Sequence, residues 1–409
     1  MKYTALTSAL FAALSTGTAL ADYRVYDEAS LQAAISAANA DSSIHKIIFE
    51  KNAEIFLQEP VIYTGNQDLT LIGNNAVIDG SAAGSFVLDE NLIATTDDGS
   101  LVFNTAGDIS IRRLSVVNSA TRGIVINVPE NATGDDIEVS LHKVQVTGSA
   151  LYGLHIDDNA DEFDDGNNGS AIGIDFLMNQ SVFIDNGTGA IDFDGIRVDE
   201  RAQGSIHASI LDSTIDGNGG DGIELDEGGA GDVEATMIMS SVSNNGFYNE
   251  IDLDDGFDID EADAGDIKAT LFRVKVENNM DEGLDFDESG DGNVELEVRQ
   301  TSALNTANEG IKVDEEDAGN LEARLSKVEV IGSGDDGIQF TELGEGRIEA
   351  TLKKVTASDN RKYGIKMEQW FIEDEPVSVE EPGSLKTRKA SLNGNGKGDD
   401  IKLNNINIE

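Results

Sequence analysis

The sequence contains no cysteine, few aromatic residues and little positive charge. Without cysteine no disulfide can brace it, so an exported chain of this kind must be held by packing. Aromatic residues make up 6% of the chain, which leaves few flat platforms of the sort that sugar sites use. The outward candidates are Tyr152, Phe247, Tyr248, Tyr363 and Trp370. Basic residues number 28 against 78 acidic ones, for a formal net charge of -50. A nucleic-acid partner needs a basic footprint to replace phosphate counterions, and this chain offers the opposite. Anionic lipid or polyuronate is repelled as well, unless cations bridge the two.

Long apolar runs are also missing. The stretch Ala5 to Leu14 is apolar but too short to span a bilayer, and no later segment is longer, so membrane insertion is not expected. With Lys2 before it and Ala19-Leu20-Ala21 after it, this stretch reads as a secretory signal over residues 1–21. The expectation is a mature chain from Asp22 to Glu409, exported to the periplasm or the medium.

What the chain does have is a repeat. Segments of the form Gly-apolar-x-apolar-acid begin at Gly195, Gly222, Gly256, Gly283, Gly310, Gly337 and Gly364, with earlier copies at Gly123 and Gly153. The later starts are mostly 27 residues apart, and the longer intervals contain insertions such as Asp161 to Gly169 and Phe247 to Asp252. Disorder, the usual alternative for so acidic a chain, does not produce such spacing. Within a period, Ile223-Glu224-Leu225-Asp226 alternates apolar and polar, then a Gly-rich turn follows, and Val233 to Met237 alternates again. Ser240 to Val242 leads to a further turn at Asn244-Asn245-Gly246.

No helical periodicity separates these strands, which argues against leucine-rich repeats and βαβ units. The fold class expected is all-β: a right-handed parallel β-helix solenoid of about ten or more coils, forming one domain over 22–409. Coils stacked at about 4.8 Å would join inward Ile, Val, Leu and Phe into one core. Glycine is expected at the corners because it tolerates positive φ. An amphipathic segment near 27–38, with Leu31, Ala34, Ile35 and Ala38, is expected to cap the first coil as a helix. The run from Glu368 to Gly383 breaks the repeat and is expected to cover the other end, with Trp370 packed there.

The opening segments Leu31-Gln-Ala-Ala-Ile35, Ile47-Ile48-Phe49, Leu69 to Gly73 and Val77-Ile-Asp-Gly80 resemble the start of many pectin-lyase-like β-helix proteins. The later Gly-Ile-x-Val/Leu coils resemble the parallel β-helix repeats of the same superfamily. The resemblance implies the fold and leaves the activity open, because that superfamily hosts lyases, glycosidases, epimerases, adhesins and passive scaffolds. Of the polygalacturonase-like motifs only Gly334-Asp335-Asp336 is present, at a position where this repeat turns a corner. None of His45, His142, His155 and His207 stands between two glycines, which argues against such a hydrolase.

Alternation places one outer column at Arg197, Glu224, Asp258, Asp285, Lys312, Gln339 and Lys366. A second holds Asp199, Asp226, Asp260, Asp287, Asp314, Thr341 and Glu368, and a third, just before each glycine, holds Asp194, Asp221, Asp255, Glu282, Glu309 and Asp336. Carboxylates one coil apart repel by roughly 1 kcal/mol in water and about 3.5 kcal/mol at an effective dielectric of 20. Salt, protonation or divalent cations must relieve this, and Ca²⁺, with its flexible shell of oxygens, suits the ladder. The metal set expected is Asp258, Asp260, Asp285, Asp287, Ser289 and Asp291. Within it, Asp287-x-Ser289-x-Asp291-Gly292 imitates the first half of an EF-hand loop, although Val298 stands where the closing Glu belongs. A second acidic insertion runs from Asp157 to Asp165.

Two functions compete on these residues. One is a Ca²⁺-stabilised scaffold, not an enzyme, that binds cell-surface or environmental polysaccharide. The other is a Ca²⁺-dependent lyase of uronate polysaccharide with Lys312 as its base. In the first reading Lys312 is a counter-ion for Asp285. A surface acidic only for salt adaptation is the plainer alternative to both.

Overall fold

The computed structural model describes residues 23–96, 98–159, 168–248, 253–371 and 381–409. The expected signal segment 1–21 and the acidic residues Asp161, Glu162, Asp164 and Asp165 lie outside the described residues.

Each coil contributes three short strands, because alternating residues give one buried and one outer face and a turn ends each run. In one coil they are Ile223–Gly229, Val233–Ile238 and Ser241–Ser243. Each pairs in parallel with its equivalent in the next coil: Ile223 with Phe257, Val233 with Ile267 and Ser241 with Lys275. The first strands stack into a twelve-stranded sheet that runs from Val61–Tyr63 to Lys402–Asn404. The chain is a right-handed parallel β-helix, the architecture that the pectin-lyase-like resemblance implies.

The inner faces make one continuous core. Ile223, Leu225, Phe257, Ile259, Leu284 and Phe286 are fully buried. Phe257 and Phe286, in successive coils, meet edge to face with centroids 5.9 Å apart. A buried side chain of this kind stabilises by about 1.5–3 kcal/mol, so the stack needs no disulfide. At the corner after the third strand, asparagines replace apolar residues. The Nδ2 groups of Asn186, Asn218 and Asn245 donate to the Oδ1 of the next coil's asparagine at 3.0, 2.9 and 3.1 Å.

The first coil is closed by α1 (Glu28–Ala40), which buries Leu31, Ala34, Ile35 and Ala38. Asp27 starts it with a capping box: its Oδ1 accepts from Ser30 N at 2.9 Å, and Ser30 Oγ accepts from Asp27 N at 3.0 Å.

Two expectations change. The break near 368–383 does not end the stack: Gly383–Arg388 pairs in parallel with the strand Arg347–Lys353, so the coils resume after it. Residues 372–380 of that break lie outside the described residues. The expectation for glycine changes only in part: at the corner after the third strand Gly217, Gly246 and Gly332 do serve positive φ, between 70° and 85°, whereas the glycines that open each repeat do not. A Cβ on Gly222 would lie 2.4 Å from Gly256 O and 2.7 Å from Asn245 Nδ2, so close approach of the next coil requires glycine there. The left-handed corner after the second strand is instead occupied by Met239, Arg273, Gln300, Lys327 and Lys354, with φ between 52° and 59°. Ladder bonds hold that strained residue in place, as when Met239 N donates to Phe272 O at 2.9 Å.

Candidate functional site: an acidic ladder on the outer face

The first strands carry the acidic columns, and the registers agree with the repeat. Arg197 pairs with Glu224, Glu224 with Asp258 and Asp258 with Asp285. Asp199, Asp226, Asp260, Asp287 and Asp314 form the adjoining column. These side chains are outward but not solvated. Glu224 is 7% exposed and Asp285 6%, because the third row packs beside them. In that row Asp194, Asp221, Asp255 and Asp336 each use one oxygen to accept the amide of the equivalent residue in the next coil. Asp194 Oδ1 accepts from Asp221 N at 2.7 Å, Asp221 Oδ1 from Asp255 N, and Asp255 Oδ1 from Glu282 N at 2.6 Å. The other oxygen is left for the ladder.

At the N-terminal end the charges are matched. Arg197 Nε donates to Asp199 Oδ1 at 2.9 Å, its Nη2 reaches Asp226 Oδ2 at 2.9 Å, and its Nη1 pairs with Glu224. Arg201 Nη1 donates to Asp226 Oδ1 at 2.6 Å. Beneath them His155 Nδ1 lies 3.0 Å from Arg122 Nη1, and its Nε2 lies 2.9 Å from Asp199 Oδ2. Arginine can only donate, so Nδ1 accepts and the proton on Nε2 points at Asp199. Burial pushes the Asp199 carboxyl up, but Arg197 and His155 more than offset it and hold it at about 2. Tyr152 stacks near His155 at 4.5 Å and packs with Ala94, Leu151, Ala190 and Phe193. It is fully buried, so of the two readings open to Tyr152, an outward platform or packing against the coil, packing holds.

At the other end Lys312 Nζ donates to Asp285 Oδ2 at 2.9 Å and to Asp287 Oδ2 at 2.9 Å, with Asp314 Oδ2 at 3.5 Å. Burial alone would favour the neutral amine, but Asp285, Asp287 and Asp314 together push its pKa far above the lysine range. A base must be able to lose its proton near working pH, and this geometry instead makes Lys312 the counter-ion of three carboxylates.

Between these ends the ladder is overloaded. Asp194, Asp221 and Glu224 offer oxygens that all lie within 4.8 Å of one another. The same limit holds for Glu224, Asp258 and Asp260, for Asp255, Asp258 and Asp285, and for Asp255, Asp281 and Glu282. These groups share members, so they form one run across successive coils. Among the described residues no ion pair reaches Asp221, Asp255, Asp258, Asp260 or Glu282. Asp194 Oδ2 and Asp258 Oδ1 have no hydrogen-bond partner there. Burial, and then the neighbouring carboxylates, push Asp221, Asp258 and Asp285 well above the usual range; Glu282 is pushed up to about 10. Such a run must take up protons or cations.

The metal set expected from the sequence is therefore divided. Asp258, Asp260 and Asp285 join the overlapping groups. Asp287 is turned to Lys312. The EF-hand comparison fails: Asp287 and Ser289 are successive outer positions of the extended strand Leu284–Gly290, with Asp291 just beyond it. Alternate residues of a strand lie roughly 6.6 Å apart, so Asp287, Ser289 and Asp291 cannot converge as a curled loop does. Of the acidic insertion, Asp157 pairs in register with Asp199, and Asp158 Oδ1 accepts from Arg201 N at 2.9 Å. The sequence reading placed Asp194, Asp221, Glu224, Asp255 and Glu282 in the rows but left them out of the metal set. It passed over His155, although the repeat beginning at Gly153 puts His155 in the column of Arg197.

No protein-family model matches this sequence, and no curated protein matches it. Among solved structures it is similar to the periplasmic alginate epimerase AlgG, at 14% identity over 94% of this chain and 83% of that one, with a TM-score of 0.47. It is also similar to the Azotobacter vinelandii mannuronan C-5 epimerase AlgE4 A-module, at 13% identity over 96% of both chains and a TM-score of 0.40. The Streptococcus pneumoniae surface protein and adhesin PfbA matches at 10% identity over 94% of this chain and 96% of that one, with a TM-score of 0.35. What this chain does has to be argued from its own side chains.

Proposed function

We propose that this chain is an exported scaffold that takes up divalent cations, Ca²⁺ foremost, on its outer acidic ladder and binds acidic polysaccharide through them. The observation that supports this is the run of overlapping carboxylate groups between Arg197 and Lys312. Asp194, Asp221 and Glu224 would hold one ion, and Asp255, Asp258 and Asp285 a second. Each group supplies fewer protein oxygens than the six to eight that Ca²⁺ takes, which leaves positions for water or for a ligand's own carboxylates. Mg²⁺ fits less well, because it demands a stricter octahedron and gives up water reluctantly. A polyanion repelled by the bare surface then becomes a ligand of the loaded one.

The scaffold reading is favoured over the lyase reading because the amine nominated as base is held by three carboxylates. Titration calorimetry with Ca²⁺, followed by affinity electrophoresis in alginate or polygalacturonate gels, tests the proposal. Heat on Ca²⁺ addition and Ca²⁺-dependent retardation are expected. No heat removes the cation, and heat without retardation removes the polysaccharide. A depolymerisation assay on the same glycans should stay silent; unsaturated products would restore the lyase.

A further inference from the structure

The inner face of the same strands carries a second acidic column. In Ile311-Lys312-Val313-Asp314-Glu315 the alternation that turns Lys312 and Asp314 outward turns Glu315 inward, after Ile311 and Val313. Glu200, Glu227, Glu261, Glu288, Glu315 and Glu342 are register partners in successive coils. All six are at most 1% exposed.

One oxygen of most of these glutamates closes the corner that follows. Glu227 Oε1 accepts from Gly231 N at 3.0 Å, Glu261 Oε1 from Gly265 N at 2.8 Å and Glu342 Oε1 from Gly346 N at 2.9 Å. The remaining oxygens face the column itself. Glu342 Oε2 and both oxygens of Glu315 find no donor among the described residues. The groups facing Glu315 are Glu288 and Glu342 in the flanking coils, with Glu316 and Asp317 on its own strand. Glu342 faces Glu315 and Gln369. The strands packed beside them, Asn320–Ser326 and Arg347–Lys353, bury only apolar residues, and their Glu322, Arg324, Arg347, Glu349 and Lys353 lie on the outer side. Among the described residues no cation faces the column at Glu315 or Glu342.

The next coil shows what such a position requires. Its residue is Gln369, the neutral isostere of a protonated glutamate. Gln369 Nε2 donates to Gly346 O and to Glu381 O, both at 3.1 Å, while its Oε1 accepts from Ile348 N at 3.3 Å. A side chain with one donor end and one acceptor end is what the site accommodates. A carboxylic acid has both, and a carboxylate has only acceptors.

We propose that Glu315 and Glu342 are kept as carboxylic acids that share protons along the inner column, so that the stability of the C-terminal coils is set by pH. Burial, and then Glu342, push Glu315 up to about 8, and burial pushes Glu342 up to about 7. The sign follows from linkage. Acids whose folded pKa is raised favour the folded state fully below their ordinary value, and that contribution is lost as pH rises through about 7 to 8. An internal cation would satisfy the same charges, but Gln369, which closes the column, brings it no negative charge. Nothing in this inference depends on cations at the outer ladder.

The test is urea unfolding of the full chain between pH 5 and pH 9 in EDTA, for the native sequence, Glu315→Gln, Glu342→Gln and the exposed control Glu316→Gln. The native midpoint should fall as pH rises, and the fall should be shallower in Glu315→Gln and Glu342→Gln but not in Glu316→Gln. Protons released on unfolding at pH 7 should drop by about one in Glu315→Gln and about half of one in Glu342→Gln. Infrared spectra of the native protein at pH 7 should show a protonated-carboxyl band, readable even where a variant fails to fold. Absence of that band, or inner variants whose profiles run parallel to the native one, would overturn the proposal. A native midpoint that stays flat between pH 5 and pH 9 in EDTA would overturn it as well.

Discussion

Asp285 and Lys312, one coil apart on the outer face, are joined by a 2.9 Å bond from Nζ to Oδ2, and Asp287 takes the same amine at 2.9 Å. This contact ends the overloaded ladder at one side as Arg197 ends it at the other, and it decides what Lys312 is for. Lys312→Met leaves three carboxylates beside an uncompensated pocket. The expected cost at pH 7 is roughly 3–5 kcal/mol in urea unfolding, since removing one partner strands buried charge. Lys312→Arg should lose much less. A Lys312→Met variant as stable as the native chain would mean that the amine is free after all.

Ca²⁺ should raise the melting temperature at constant ionic strength, and at a hundredfold excess over Kd it adds about 2.7 kcal/mol. The double variant Asp221→Asn/Asp258→Asn removes a member of each proposed ion site, neither of them in an ion pair, and should abolish that gain while melting higher than native in EDTA. Scanning calorimetry decides it. An equal rise with NaCl at matched ionic strength would reduce the ladder to salt adaptation.

Asp199 titrates in the opposite sense to the inner glutamates. Arg197 and His155 hold its pKa at about 2, below the ordinary 3.8. Its contribution is therefore present above the ordinary value and lost as pH falls through about 2. Asp199→Asn should cost roughly 3–5 kcal/mol at neutral pH, because Arg197 and Arg201 lose a buried partner. Acid titration followed by circular dichroism should show the native chain losing stability near the bottom of the scale and Asp199→Asn losing little more there.

Gly222→Ala is expected to destabilise by about 1–3 kcal/mol or more, because its Cβ would meet the carbonyl of Gly256. The cause is contact rather than φ, so it should be relieved in part when Asn245 is shortened to alanine in the same chain, although that change alone breaks the asparagine stack. A double-mutant cycle measures the coupling.

Much of this was legible in the chain. Starts 27 residues apart, or 34 across the insertion before Gly256, fix which residues stack, so the columns through Glu224, Asp258 and Asp285 follow from counting. The spacing of Leu31, Ala34, Ile35 and Ala38 likewise marks the capping helix. Two local comparisons misled. Asp287 to Asp291 looks like a loop only until the strand that contains most of it is known. Glu227 to Gly231 reads as a polar turn, although Glu227 is still inside the strand and fully buried.

Sequence by itself determined periodicity, alternation and composition, because these depend on backbone geometry that repeats from residue to residue: a period of two within each strand and a fixed length for each coil. Tertiary structure alone decided the environment of each charge. Glu224 and Glu316 are both polar letters in acidic strands, yet Glu224 is 7% exposed beside Arg197 while Glu316 faces solvent. Ionisation depends on the dielectric and the partners that stacking supplies, and for Glu224 and Asp285 those partners, Arg197 and Lys312, stand one coil away.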